Sequence, residues 1–252
     1  VNILKKSDII LCEDTRRSGK LLHYLKIKKK LIPYHKFNEK KVSKKIIEFI
    51  KKNKVVSLVS DAGTPTISDP GLILVNKCIE NGLKIYPIPG PSAVTTALSV
   101  SGFNEKFLFC GFLSKKENQL NNILKKITNL NFSIVFFIPA SKINFYISRF
   151  KDHFYDREIL IAKEMTKIHE EAIRGKVESI EFFSSNFKGE LTVVLSGKTK
   201  DKNIKKEISE SVKIEIKKML KKYSHKDVVE FFSKKENLPK KIIYNFCLKL
   251  IK

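Results

Sequence analysis

The sequence has no tryptophan, two methionines and four cysteines, and only five of its 50 basic residues are arginine. Cys12, Cys78, Cys110 and Cys247 lie far apart and form no C-x-x-C pair, which argues against a disulfide scaffold or a zinc ribbon. The five histidines contain no H-x-x-x-H pair, so no metal is expected. No two glycines are spaced as G-x-G, and neither G-x-x-x-x-G-K-[ST] nor G-x-S-x-G occurs. The usual dinucleotide, phosphate-loop and serine-hydrolase signatures are therefore absent. No apolar run approaches the roughly 20 residues of a membrane span, and no secretory leader pattern opens the chain. These absences set the expectation of a reduced, cytoplasmic protein with no membrane partner.

What is present is 252 residues, 42% of them hydrophobic, with a formal charge of +24. That is enough apolar material for a real core, in one large domain or two small ones. Excess positive charge favours polyanions such as nucleic acid. Genome composition explains a lysine-dominated bias equally well, since phosphate recognition more often uses arginine forks. The charge alone decides nothing.

Short apolar runs alternate with helical patterns. Strands are expected at Ile9–Cys12, Val55–Val59 and Lys84–Ile88, and helices at Val42–Lys52, Leu72–Asn81 (with Gly82 as C-terminal cap) and Ser92–Ser101. This alternation over residues 1–103 implies a mostly parallel sheet covered by helices. Residues 104–198 read as a mixed α+β domain. Its strands are Phe107–Leu113, Phe132–Ile138, Glu158–Lys163, Glu171–Arg174 and Glu190–Leu195, and its helices Glu117–Ile127 and Ile143–Phe150. Residues 199–252 read as a charged linker (Lys198–Glu207) and helices at Ile208–Tyr223, Lys226–Ser233 and from Pro239 onward. That piece suits a helix-turn-helix module and a plain helical cap equally.

Two loops concentrate chemistry. Ser60–Gly71 reads SDAGTPTISDPG, leaving a buried strand and entering a helix. Ligands of open α/β sheets sit at the carboxyl ends of strands, where such loops gather. Two glycines and two prolines fix an irregular backbone, Thr64 and Ser68 offer hydroxyls, and Asp61 and Asp69 offer anions; Asp69 also suits a helix cap. Pro89-Gly90-Pro91-Ser92-Ala93 repeats the pattern.

Glu13-Asp14-Thr15-Arg16, SDAGTP…SDPG, Pro89–Ala93, Gly111-Phe112-Leu113, Glu164-Met165-Thr166-Lys167 and Gly189-Glu190 occur in one order from about Asn2 to Gly197. In that order they resemble the ribosomal RNA small subunit methyltransferase I family, within the tetrapyrrole methylase superfamily. The resemblance implies a two-domain α/β tetrapyrrole-methylase-like fold with a small helical C-terminal extension and S-adenosylmethionine in the cleft between the domains. It implies methyl transfer to a cytidine ribose 2′-hydroxyl in small-subunit rRNA, on the RNA or the 30S subunit, by a homodimer. It assigns Asp61, Ala62, Gly63, Thr64, Ile67, Ser68, Pro91, Ser92, Ala93, Gly111, Phe112, Gly189, Glu190 and Leu191 to the cofactor. Glu13, Asp14 and Arg16 would serve catalysis, with Glu13 the first choice of base; an ion pair or helix cap explains Glu13 and Asp14 equally well. Arg16, Asn38, Glu39, Lys163 and Lys167 would bind substrate.

The sequence also departs from the family. It has Phe37 in place of the second histidine of His-x-His-Asn-Glu, and Phe137-Ile138-Pro139-Ala140 where Tyr-Glu-Ser is usual. The family's opening strand and Pro-Ile-Gly-Asn-Leu loop would precede Val1. Two other readings follow: a tetrapyrrole methylase of the same fold, and an RNA-binding assembly factor that has lost catalysis.

Overall fold

Four apolar residues in succession, Ile9–Cys12 (β1), are all buried, the pattern of a central parallel strand. β1 pairs in parallel with Lys30–Pro33 (β2) on one side and Val56–Val59 (β3) on the other. Short helix Asn2–Lys6 (α1) precedes it, and Thr15–Tyr24 (α2) and Glu39–Lys51 (α3) make the two crossovers. Leu11, Tyr34, Ile46 and Ile47 form a core on one face with Leu74 and Cys78 of Leu72–Glu80 (α4). Ile10 packs with Leu22 and Ile27 in a second cluster. The sequence periodicity did not announce α1, α2 or β2; β2 is short and only half-buried, with a lysine at its start.

This computed structural model describes residues 1–184, 188–198, 208, 210–236, 238 and 240–250. It divides into units Val1–Thr199 and Lys200–Lys252.

The strand expected at Lys84–Ile88 does not form. The segment is irregular, and Ile85, Tyr86 and Ile88 are exposed. The small sheet consists of β2, β1 and β3, so these residues have no ladder to join. Gly82 does close α4: at φ +64° it lets the Leu83 N–H reach the Cys78 carbonyl at 2.9 Å.

The second sheet has five strands in the order β4-β5-β8-β6-β7: Phe107–Phe112 (β4), Ser133–Pro139 (β5), Glu158–Lys163 (β6), Glu171–Lys176 (β7) and Glu190–Leu195 (β8). Only β4–β5 is parallel. Helices Glu117–Ile127 (α6) and Ile143–Phe154 (α7) cover one face through Leu120, Leu124, Ile147 and Phe150. Val94 and Ala97 of Ala93–Ser99 (α5) cover the other, against Val135, Leu160, Ala162 and Val194. Both faces being covered explains why β5, β6 and β8 are buried through their middles and do not alternate.

The second unit contains Glu210–Met219 (α8), His225–Lys235 (α9) and Lys240–Lys249 (α10), packed through Val212, Ile216, Val228, Phe232, Ile243 and Cys247. Ser224 caps α9, its hydroxyl accepting the Asp227 N–H at 3.2 Å. The linker expected at Lys198–Glu207 and the first-turn Pro239 lie outside the described residues, apart from Lys198.

Candidate active-site cleft

The carboxyl ends of β1 and β3, and the loops of the second sheet, enclose a cleft of about 460 Å³. That volume suits a nucleoside-sized ligand. Asp61, just past β3, ties the loops together: its Oδ1 accepts the Asp14 N–H at 3.2 Å, and its Oδ2 pairs with Arg17 at 3.3 Å. Thr64 Oγ1 donates to the Pro91 carbonyl at 2.9 Å, joining the two Gly/Pro loops that the sequence singles out.

The backbone here is strained. Thr66, Ser68, Glu164 and Thr166 all have positive φ, and each lines or flanks the cleft. Gly71 (φ +140°) ends the first loop, and an added Cβ would stand 2.7 Å from Leu58 Cδ2. Its N–H donates to Glu39 Oε2 at 3.4 Å. Across the cleft, Glu164 Oε1 accepts from Lys167 Nζ at 2.9 Å and from the Glu190 N–H at 3.4 Å. The Lys167 hydrogen bond is the main cause that holds the Glu164 carboxyl below its ordinary range.

The cleft has an apolar and a charged part. Phe112 and Phe137, ring centroids 5.4 Å apart, line it with Val94, Ala162, Met165 and Leu191. Five carboxylates also line it, Glu13, Asp61, Asp69, Glu164 and Glu190, against two cations, Arg17 and Lys167. In a chain of formal charge +24 this is a local inversion. Asp69 is half-buried, and its carboxyl is pushed up to about 6, first by burial and then by Glu13, with further contributions from Glu190 and Asp61; a hydrogen bond from Ser60 opposes them.

Of the residues expected to hold a cofactor, Asp61, Ala62, Gly63, Thr64, Ile67, Ser68, Ser92, Ala93, Phe112, Glu190 and Leu191 line the cleft. Pro91, Gly111 and Gly189 do not, but each adjoins a lining residue; a Cβ on Gly111 would lie 3.3 Å from Ser68 Oγ. Of the expected catalytic residues only Glu13 lines it. Asp14 caps α2, accepting the Arg16 N–H at 2.8 Å, and pairs with the Arg16 guanidinium at 2.7 Å. That guanidinium drives its carboxyl far below the usual range. Of the expected substrate residues Lys167 lines the cleft, while Lys163 pairs with Glu171 at 3.3 Å and Asn38 fastens its own loop to the Pro33 carbonyl at 2.9 Å. Sequence reasoning gave no role to Arg17, Phe137, Ala162 or Thr192; Arg17 follows EDTR directly, Phe137 opens the stretch where Tyr-Glu-Ser is usual, and Ala162 and Thr192 had no motif to flag them.

Among the described residues no group of three or more His, Cys, Asp or Glu could hold a metal ion, and no helix is long and apolar enough to cross a membrane.

Residues 1–181 match the family model described as Tetrapyrrole (Corrin/Porphyrin) Methylases. Ribosomal RNA small subunit methyltransferase I of Thermotoga maritima is 46% identical over 198 residues, which is 77% of this chain and 89% of that protein. The protein of the same name from Buchnera aphidicola is 34% identical over 99% of this chain and 90% of its own. Among solved structures, uroporphyrin-III C-methyltransferase of Thermus thermophilus, complexed with S-adenosylhomocysteine, superposes with a TM-score of 0.53 at 13% identity over 77% of this chain and 88% of that one. The methyltransferase CobJ gives 0.57 at 16% identity, covering 78% and 85%.

Proposed function

The chain belongs to the tetrapyrrole (corrin/porphyrin) methylase family, and from that membership we propose that it is an S-adenosylmethionine-dependent enzyme that methylates RNA of the small ribosomal subunit. The observation that carries the reading is the 46% identity to a small-subunit rRNA methyltransferase across most of both chains. On this reading the acceptor is a cytidine ribose 2′-hydroxyl, on the RNA or the 30S subunit. The enzyme acts as a homodimer in the cytoplasm, and residues 1–103 and 104–198 are two lobes around the donor.

The cleft suits the methyl donor for reasons of charge and shape. S-adenosylmethionine carries a sulfonium and an ammonium, and Glu13, Asp61, Glu164 and Glu190 face the cleft to meet them. Its adenine suits the apolar wall of Phe112, Phe137, Val94 and Leu191. Loop residues Asp61–Ser68 and Ser92–Ala93 would hold the rest through backbone N–H groups and hydroxyls. When bound, the donor supplies an electrophilic methyl group. The chain's own contribution is to align the reactants, worth roughly 7–11 kcal/mol when well oriented, and to hold the proton of the attacking hydroxyl.

Incubating the protein with methyl-labelled donor and unmethylated 30S subunits tests this. Label in the RNA, at the ribose of one cytidine after nuclease digestion, is expected. Label only in a porphyrinogen supplied in parallel would favour the tetrapyrrole reading, and donor binding without any label would favour a catalytically inactive assembly factor.

A further inference from the structure

We propose that Asp69, rather than Glu13, is the general base that takes the proton of the substrate hydroxyl. The inference rests on the RNA ribose reading above.

Five carboxylates line the cleft, and their surroundings sort them. Asp61 is paired with Arg17 at 3.3 Å, and Glu164 with Lys167 at 2.9 Å. The Lys167 hydrogen bond lowers the Glu164 carboxyl, which weakens it as a base. Glu13 and Glu190 are exposed, and water solvates them. Asp69 alone combines partial burial with a surround of acids: Glu13 from the end of β1, Asp61 from the end of β3 and Glu190 from β8. The two cations that line the cleft, Arg17 and Lys167, pair with Asp61 and Glu164.

The loop fixes where this carboxyl points. Thr66 and Ser68 hold φ of +73° and +68° just before it, and Gly71 holds +140° just after. The Gly71 N–H is anchored on Glu39 of α3, and Ser68 lies against Gly111 of β4. Strained backbone just before the acid, and a turn just after it that glycine makes possible, mark a residue held for a purpose. A carboxyl pushed up to about 6 is still mostly ionised at neutral pH, yet it is a stronger base than an ordinary aspartate.

The step balances. The hydroxyl O–H bond breaks and its proton passes to an Asp69 carboxyl oxygen. An oxygen electron pair forms the new O–CH₃ bond as the S–CH₃ bond breaks. The bonding pair of the broken S–CH₃ bond stays on sulfur, leaving a neutral thioether, and Asp69 later releases its proton to water.

The test compares wild type, Asp69→Asn and Glu13→Gln in single-turnover methylation of 30S subunits across pH 5–9, with calorimetry of S-adenosylhomocysteine as a binding readout. Wild type should show a rate that rises through pH 6 and then levels. Asp69→Asn should be slower by roughly 10²–10⁴-fold and lose that inflection, while binding S-adenosylhomocysteine within about threefold of wild type. In protein carrying ¹³C-labelled aspartate, one carboxyl should titrate near 6 and be missing in Asp69→Asn. An Asp69→Asn variant that keeps the inflection and most of the rate overturns the proposal. So does loss of the inflection in Glu13→Gln alone, an Asp69 carboxyl titrating near 4, or an Asp69→Asn variant that no longer binds the thioether. Wild type that binds the thioether but labels no RNA overturns the ribose reading on which the proposal stands.

Discussion

Gly189 and Glu164 occupy one small space from opposite sides: a Cβ built on Gly189 would stand 2.6 Å from Glu164 Oε1. Gly189 also sits at φ +100°, a conformation that side chains rarely adopt. Its bareness lets the Glu164 carboxylate accept from Lys167 and from the Glu190 N–H. The motif EMTK and the Gly-Glu pair, 25 residues apart in sequence, are thus one structural unit at the cleft.

Gly189→Ala should displace Glu164 and strain the backbone. The expected loss of stability is about 1–3 kcal/mol, read as a lower midpoint in urea. Donor affinity, measured by calorimetry, should fall with it. A variant with unchanged midpoint and affinity would show that this packing is immaterial.

Asp61→Ala removes the acceptor of the Asp14 N–H and the partner of Arg17 in one change. Calorimetry with S-adenosylmethionine should show affinity at least about tenfold weaker, the size of one lost charge-assisted hydrogen bond. Equal affinity would move the donor away from this loop.

The Asp69 carboxyl has a stability signature as well. Its folded pKa is raised to about 6, so the folded state binds the proton more tightly than the unfolded chain does. Below the unfolded value, about 3.9, both states are protonated and nothing is lost. As pH rises from there through 6, the ionised form becomes a burden on the folded state. Asp69→Asn should therefore melt higher than wild type at pH 7.5, and the gain should vanish near pH 4. An equal gain at both pH values would mean that the substitution acts by packing instead of charge.

Arg157 is 1% exposed and donates to four carbonyls: Thr128 at 2.8 Å, Leu130 at 2.6 Å, Phe132 at 3.3 Å and Ser196 at 2.7 Å. Burial lowers its pKa. Arg157→Met would leave these acceptors without their donor, costing about 3 kcal/mol or more. Arg157→Lys should recover little, because a compact ammonium cannot reproduce a planar fork. Denaturant midpoints of the two variants measure this, and a shift under about 1 kcal/mol in either would contradict it.

Much of the fold was legible because apolar patterning is a local property. β1, β6 and β8 are short apolar runs, and their limits match the sequence reading residue for residue. The loops of the cleft were legible for a similar reason, since glycine and proline mark irregular backbone wherever they cluster. Lys84–Ile88 was misread because it has a strand's composition but no neighbouring strand, and a ladder is a property of two segments. Asp14 caps α2, one of the two roles its sequence context allows, and Glu39 anchors Gly71, a contact between residues 32 positions apart that no local pattern announces.

The chain alone determined its alternating architecture, its family and the loops that carry chemistry, because each is written in consecutive residues. Only the folded arrangement decided which acids stand beside a cation and which among other acids. Asp14, Asp61 and Asp69 are the same residue type within 56 positions. One lies beside Arg16, one beside Arg17, and one among Glu13, Asp61 and Glu190. Proton affinity depends on distance to other charges and to water, and those distances exist only once the strands and loops have been brought together.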